Sequence, residues 1–160
     1  SDVVTEPYNA ILTLNNLIEY SQASFTVENS ALNRICQKNL KIAHPSFNDI
    51  NHIIAQVMSN TTASLRFPGY QNNSDIRKLS TNLIPFPRLH FLLQSQAPLL
   101  TMGNSQFERL GVKEVAAQMF DSRSMLTDAG DIQQHGKIIT ASCLFRGKDL
   151  SAIEAEKVIA

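Results

Sequence analysis

The sequence predicts an α/β fold. Segments with apolar residues at helical spacing are interleaved with short β-branched or aromatic runs, in the order α-β-α-α-α-β-α-β-α. In addition, 43% of the 160 residues are hydrophobic and only 18% are charged, below the roughly 25% charge of soluble domains. Such a chain is long enough to bury a core and too apolar to be disordered, and it buries much of its surface against itself or a neighbour.

The first helix runs from Glu6-Pro7 through Tyr8, Ile11, Leu12, Leu14, Leu17 and Ile18, with Thr5 as its cap and Pro7 in the first turn. Ser24 to Glu28 is short, aromatic and β-branched, hence a strand. Asn29 can cap the next helix, whose Leu32, Ile35, Cys36 and Leu40 share one side. After His44-Pro45, Ser46 caps a helix reaching from Phe47 to about Leu65 with Asp49 in its first turn. At 1.5 Å per residue it spans about 28 Å, and with apolar residues around much of its circumference it is central. A loop containing Pro68-Gly69 leads to a short helix, Ile76 to Leu83, ended by Pro85 and Pro87. Arg88 to Leu93 reads as a strand, residues 94–110 as a long irregular stretch, and Gly111 to Phe120 as a helix. Residues 121–134 are polar and loop-like, Lys137 to Phe145 is a third strand, and Asp149 or Ser151 caps the last helix.

Lys+Arg and Asp+Glu are both 14, so bulk charge draws the chain neither to nucleic acid nor to acidic membranes. No apolar run approaches the ~18 residues of a membrane span. The opening SDVVTEPYN has neither an initiator Met nor a signal peptide and reads as the middle of a longer protein. Cys36 and Cys143 lie far apart and read as small buried thiols in a reducing cytosol. Asn60 and Asn72 stand in glycosylation patterns that, without a secretory signal, are accidental. Neither standard Gly-rich phosphate loop occurs, nor GxSxG or HExxH, and no Cys, His and carboxylate set has metal-ligand spacing. His52, three residues after Asp49, reads as one half of a helix-surface pair, and His90 as a hydrogen-bonded core histidine. Generic motifs therefore give no enzyme.

Several strings nevertheless resemble the tubulin family. They are SDVVTEPYNAILTL, ENSALNRIC, PSFNDINHII, TASLRFPG, TNLIPFPRLHFL, APL and LFRG, in order along essentially the whole chain. The resemblance implies that residues 1–66 are the second half of a GTP-binding domain, ending in a long central helix. Residues 67–160 would be an inter-subunit loop and most of an intermediate α/β domain, cut off in its last helix. The phosphate loop would then lie outside these residues, as would most of the Mg site. The piece alone would not hydrolyse GTP, whereas the full-length protein would be a GTPase.

By the same resemblance, Asp2 and Glu6 match carboxylates near the ribose of GTP or GDP, and carboxylates do accept hydrogen bonds from sugar hydroxyls. Glu6 can equally stabilise its helix terminus. Asn29 matches the amide that reads the guanine edge, a task needing donor and acceptor together, although capping alone would also explain it. Phe47 matches the ring stacked on guanine, usually Tyr in β-tubulins, and Asn51 lies one turn on along the same face. The alternative for Phe47 is plain core. Phe107 matches the aromatic of the lateral-contact M-loop, where Met102 stands in place of the Arg that β-tubulins tend to carry. Asn73, Asp75 and Lys78 match the loop pressed against the next subunit's nucleotide. Lys78 takes the place of a glutamate that in α-tubulins helps activate water. A charged lysine cannot accept that proton, so the pattern is β-like and supplies no catalytic residue for the chain's own nucleotide. Lys78 can alternatively be a solvated helix charge. This loop is one residue longer than in β- or γ-tubulins, near Ser74.

The function implied is that of a cytoplasmic, cytoskeletal subunit that binds GTP and polymerises head to tail with other tubulin subunits into microtubule-like filaments. PGYQNN and PSFNDIN are also similar to γ-tubulin, which nucleates, and a divergent or bacterial tubulin fits as well. The alternative class is a non-catalytic binding or scaffold module derived from a tubulin.

Overall fold

The computed structural model describes residues 3–67, 75–99, 110–130, 135–147 and 150–159. Its elements are α1 (Glu6–Tyr20), β1 (Ser24–Thr26), α2 (Asn29–Lys38), α3 (Phe47–Thr61), α4 (Ala63–Arg66), α5 (Ile76–Leu83), β2 (Phe91–Leu93), α6 (Val112–Phe120) and α7 (Ala152–Ile159). A single 3₁₀ turn, Ser122–Ser124, follows α6. The two strands pair in parallel, with Ser24 opposite Phe91, Phe25 opposite Leu92 and Thr26 opposite Leu93. Four helices lie between them in the chain, and the ladder crosses the division drawn in the sequence at residues 66 and 67.

The core is the contact between α2 and α3. Leu32, Ile35 and Cys36 of α2 pack with Ile50, Ile53 and Val57 of α3, and Leu126 closes the cluster from far along the chain. Leu126 is fully buried, and its backbone joins both strand ends: its N–H donates to Gln94 O at 2.9 Å and its carbonyl accepts from Glu28 N at 2.9 Å. Elsewhere α6 packs against α7.

Several local expectations are corrected. The helix from Phe47 ends at Thr61 rather than continuing unbroken to Leu65, and α4 resumes after Thr62. The cause is a pair of back-bonded hydroxyls. Thr61 Oγ1 donates to Val57 O at 2.9 Å and Thr62 Oγ1 to Met58 O at 2.7 Å, bonds that compete with the helical ladder where Thr62 leaves helical backbone (φ −92°, ψ 3°). Thr5 makes no side-chain cap, because its backbone is already helical (φ −86°, ψ −9°) and holds the hydroxyl away from the first-turn N–H groups. The run Lys137 to Phe145 forms no strand. β-branched residues favour extended backbone, but a strand also needs a ladder partner. Within the run Thr140 Oγ1 donates to Leu83 O at 2.7 Å, and just past it the Arg146 guanidinium lies 4.4 Å from the Phe67 ring centroid. Cys36 is buried, Cys143 half-buried and both are free; burial pushes both thiols up.

Candidate functional site

The start of α3 is the best-defined candidate surface. Ser46 is extended (φ −90°, ψ 166°), and its hydroxyl accepts from Asp49 N–H at 3.4 Å while donating to Asp49 Oδ2 at 2.7 Å. Asp49 Oδ2 also accepts from Ser46 N–H at 2.8 Å, completing a capping box. These bonds, that of the Ser46 hydroxyl first and that of its backbone second, hold the Asp49 carboxyl below the usual aspartate range. No hydrogen bond joins His52 to Asp49, although its charge is the least of the causes that lower the Asp49 carboxyl; the His52 Nε2 lies 3.2 Å from Gln56 Nε2. The box fixes the first turn, and with it Phe47 and, four residues on along the same face, Asn51. Phe47 is 76% exposed and Asn51 exposed, so among the described residues Phe47 is not core.

Asn29 does not cap α2. The cap position falls on Glu28, whose backbone is extended (φ −124°, ψ 130°), so Asn29 is already the first helical residue. Glu6 is likewise the first residue of α1, and both side chains are exposed. Among the described residues, the side chains of Glu6, Asn29 and Asn51 have no hydrogen-bond or ion-pair partner. Among the described residues three helix starts thus carry an unpartnered carboxylate, two unpartnered amides and an exposed ring, groups that can each meet a sugar hydroxyl or a purine base. Asp2, Asn73, Phe107 and Met102 lie outside the described residues. Asp75 caps α5, its Oδ1 accepting from Lys78 N–H at 2.7 Å. The three-residue spacing of Asp75 and Lys78 is therefore that of a helix cap, and it leaves the Lys78 side chain exposed on the first turn.

Reading the sequence misses a cluster around Glu28, because its members lie about a hundred residues apart. Glu28 accepts from the Ser30 hydroxyl on one carboxylate oxygen and from Asp128 N–H at 3.1 Å on the other. The Ser30 bond first, then the Asp128 bond, holds its carboxyl below the usual glutamate range. Arg34 Nη1 meets Asp128 Oδ2 at 2.8 Å. A cleft of about 700 Å³ lies elsewhere, between the end of α1, α5 and the start of β2, and none of the candidate nucleotide residues lines it. On its wall His90 is buried, with Nε2 donating to Leu17 O at 3.1 Å, a hydrogen-bonded core histidine. No three His, Cys, Asp or Glu side chains among the described residues converge to hold a metal ion, and no described helix is long and apolar enough to cross a membrane.

Comparison with known proteins adds two findings. A family model described as Tubulin C-terminal domain matches residues 87–158. The tubulin beta-2 chain of Emericella nidulans is 51% identical over 148 residues, covering 92% of this chain and 32% of its own. The chain belongs to the tubulin family. Within it, this tubulin sequence is most like β-tubulin: the β chain of Saccharomyces cerevisiae and the beta-1 chain of Homo sapiens are each 47% identical over the same coverage. The chain spans about a third of the length of these curated relatives.

Proposed function

We propose that these residues belong to a β-like tubulin subunit of the cytoplasmic cytoskeleton that binds GTP or GDP and polymerises head to tail with other tubulin subunits. Residues 1–66 contribute the base- and ribose-facing half of the nucleotide domain, and 67–160 an inter-subunit loop and intermediate domain. What supports this most is the start of α3, where a capped first turn presents Phe47 and Asn51 outward in a chain 51% identical to a β-tubulin. Phe47 stacks on the guanine, Asn29 and Asn51 hydrogen-bond its edge, and Asp2 and Glu6 take the ribose hydroxyls. The GTPase activity belongs to the full-length protein, and most of the Mg site lies outside these residues.

Lys78, with Asn73 and Asp75, faces the neighbouring subunit's nucleotide and stabilises its phosphates without activating water. Phe107 inserts laterally into a neighbour. The test is sedimentation of the full-length protein with and without GTP, together with recovery of its bound nucleotide. GTP-dependent pelleting and bound guanine nucleotide are expected, and a protein that shows neither overturns the proposal. Lys78→Glu should accelerate hydrolysis at the neighbour's site. An unchanged rate removes Lys78 from that contact.

A further inference from the structure

Asn29 sits between two residues that are tied to each other and to a distant segment. On one side is Glu28, on the other Ser30, and the Ser30 hydroxyl donates to the Glu28 carboxylate. Leu126–Asp128 lies against this pair. Its bonds run from Glu28 N–H to Leu126 O at 2.9 Å, from Thr127 Oγ1 to Thr26 O at 2.8 Å and from Asp128 N–H to Glu28 Oε2 at 3.1 Å. From farther along α2, Arg34 closes on Asp128 at 2.8 Å. Leu126 itself is buried in the α2–α3 core, so the segment is anchored while it holds the start of α2. The side chains that readily cap a helix start are those of Ser, Thr, Asp and Asn, whose oxygens reach the first-turn N–H groups. Glu28 makes no such cap and bonds instead to Ser30 and Asp128.

We infer that Leu126–Asp128 is a brace that orients Asn29, so that Glu28, Arg34 and Asp128 are positioning residues for recognition of the guanine edge. This rests on the guanine reading of Asn29 given above. An amide that must present its donor and acceptor in a fixed plane needs its backbone held on both sides, and the brace holds residues 26, 28 and 34 around it. A tie that served only to pin the loop would affect stability alone. A positioning brace also affects which base is preferred.

The test titrates the full-length protein with GTP and with ITP, which lacks the guanine 2-amino group. Arg34→Ala and Asp128→Asn each remove the ion pair, and the double variant Arg34→Asp with Asp128→Arg reverses it. Because the pair is partly exposed, each single change should weaken GTP binding by only about twofold to fivefold while lowering the preference for GTP over ITP. The reversed pair should restore both. An unchanged preference in the single variants, alongside a loss in Asn29→Ala, overturns the brace and leaves the guanine reading standing. If Asn29→Ala itself changes neither affinity nor preference, the guanine reading fails and the brace with it. Where a single variant does not fold, Glu28→Gln and the reversed pair carry the test, and a folded reversed pair that does not recover the preference overturns the inference.

Discussion

Phe47→Ala separates a ligand-facing aromatic from a core aromatic. A buried phenylalanine removes about 200 Å² from water and is worth about 3–5 kcal/mol when truncated to alanine. Phe47 is 76% exposed, so roughly a quarter of that area, about 50 Å², is lost on truncation. At about 25 cal/mol per Å² this comes to about 1.2 kcal/mol, less a few tenths returned by the better helix propensity of alanine. Stacking on a base is worth about 1–3 kcal/mol, a factor of about 5 to 150 in Kd. Urea unfolding of the full-length protein should therefore show a loss of about 1 kcal/mol, while titration with a fluorescent GTP analogue shows the larger defect. Phe47→Tyr, which keeps the ring, should bind almost as the native protein does. Unchanged affinity in Phe47→Ala would remove the residue from the nucleotide site. A stability loss near 4 kcal/mol would mean that the ring is buried after all.

Two further predictions follow from the packing and the capping. Leu126→Ala should cost about 3–5 kcal/mol in urea unfolding, because a fully buried leucine loses three carbons to a closed cavity in the α2–α3 cluster; a loss under about 1 kcal/mol would detach Leu126 from that core. The Asp49 carboxyl is held below its ordinary value of 3.8, so it binds fewer protons folded than unfolded as pH falls through that value. Its stabilisation is present above pH 3.8 and disappears below it, as the pH falls through the lowered folded value. Asp49→Asn should flatten that acid limb in a melting series, and an unaltered limb would show that the capping box is not what lowers the carboxyl.

Helical elements are legible in the sequence where periodicity and a local stop or start coincide. Ser46 with Asp49 marks the start of α3 within one turn, because a cap is a contact over three residues, whereas Asp75 shows itself as the cap of α5 only in the structure. The Thr61-Thr62 break is also local but easily overlooked, since threonine in a long apolar helix signals a bend only if its hydroxyl turns back to the preceding turn. The missing third strand is a different failure. Lys137 to Phe145 has the composition of a strand, yet pairing is a property of the neighbour, and no composition supplies a neighbour. The same holds at the candidate site. Phe47 and Asn51 can be placed on one face from their spacing alone, whereas the ties from Thr127 and Asp128 to the start of α2 join residues about a hundred apart and leave no sequence signal.

The candidate residues also differ in how firmly the fold holds them. Phe47 and Asn51 alternate along α3 with Ile50 and Ile53, which are 4% and 2% exposed, so the core itself sets the orientation of that face. Asn29 precedes Ala31 and Leu32, at 1% and 0%, and is held from the other side by Glu28. Glu6 has no such support. No residue of α1 is buried, and Tyr8, Ile11 and Leu12 are exposed. The helix is tied at its far end, where Leu17 O meets His90 and Glu19 meets Arg88 at 3.3 Å. Leu17 lies eleven positions after Glu6, about 16 Å of helix. Phe47, Asn51 and Asn29 are therefore held by the α2–α3 core, whereas Glu6 stands on a helix with no buried residue.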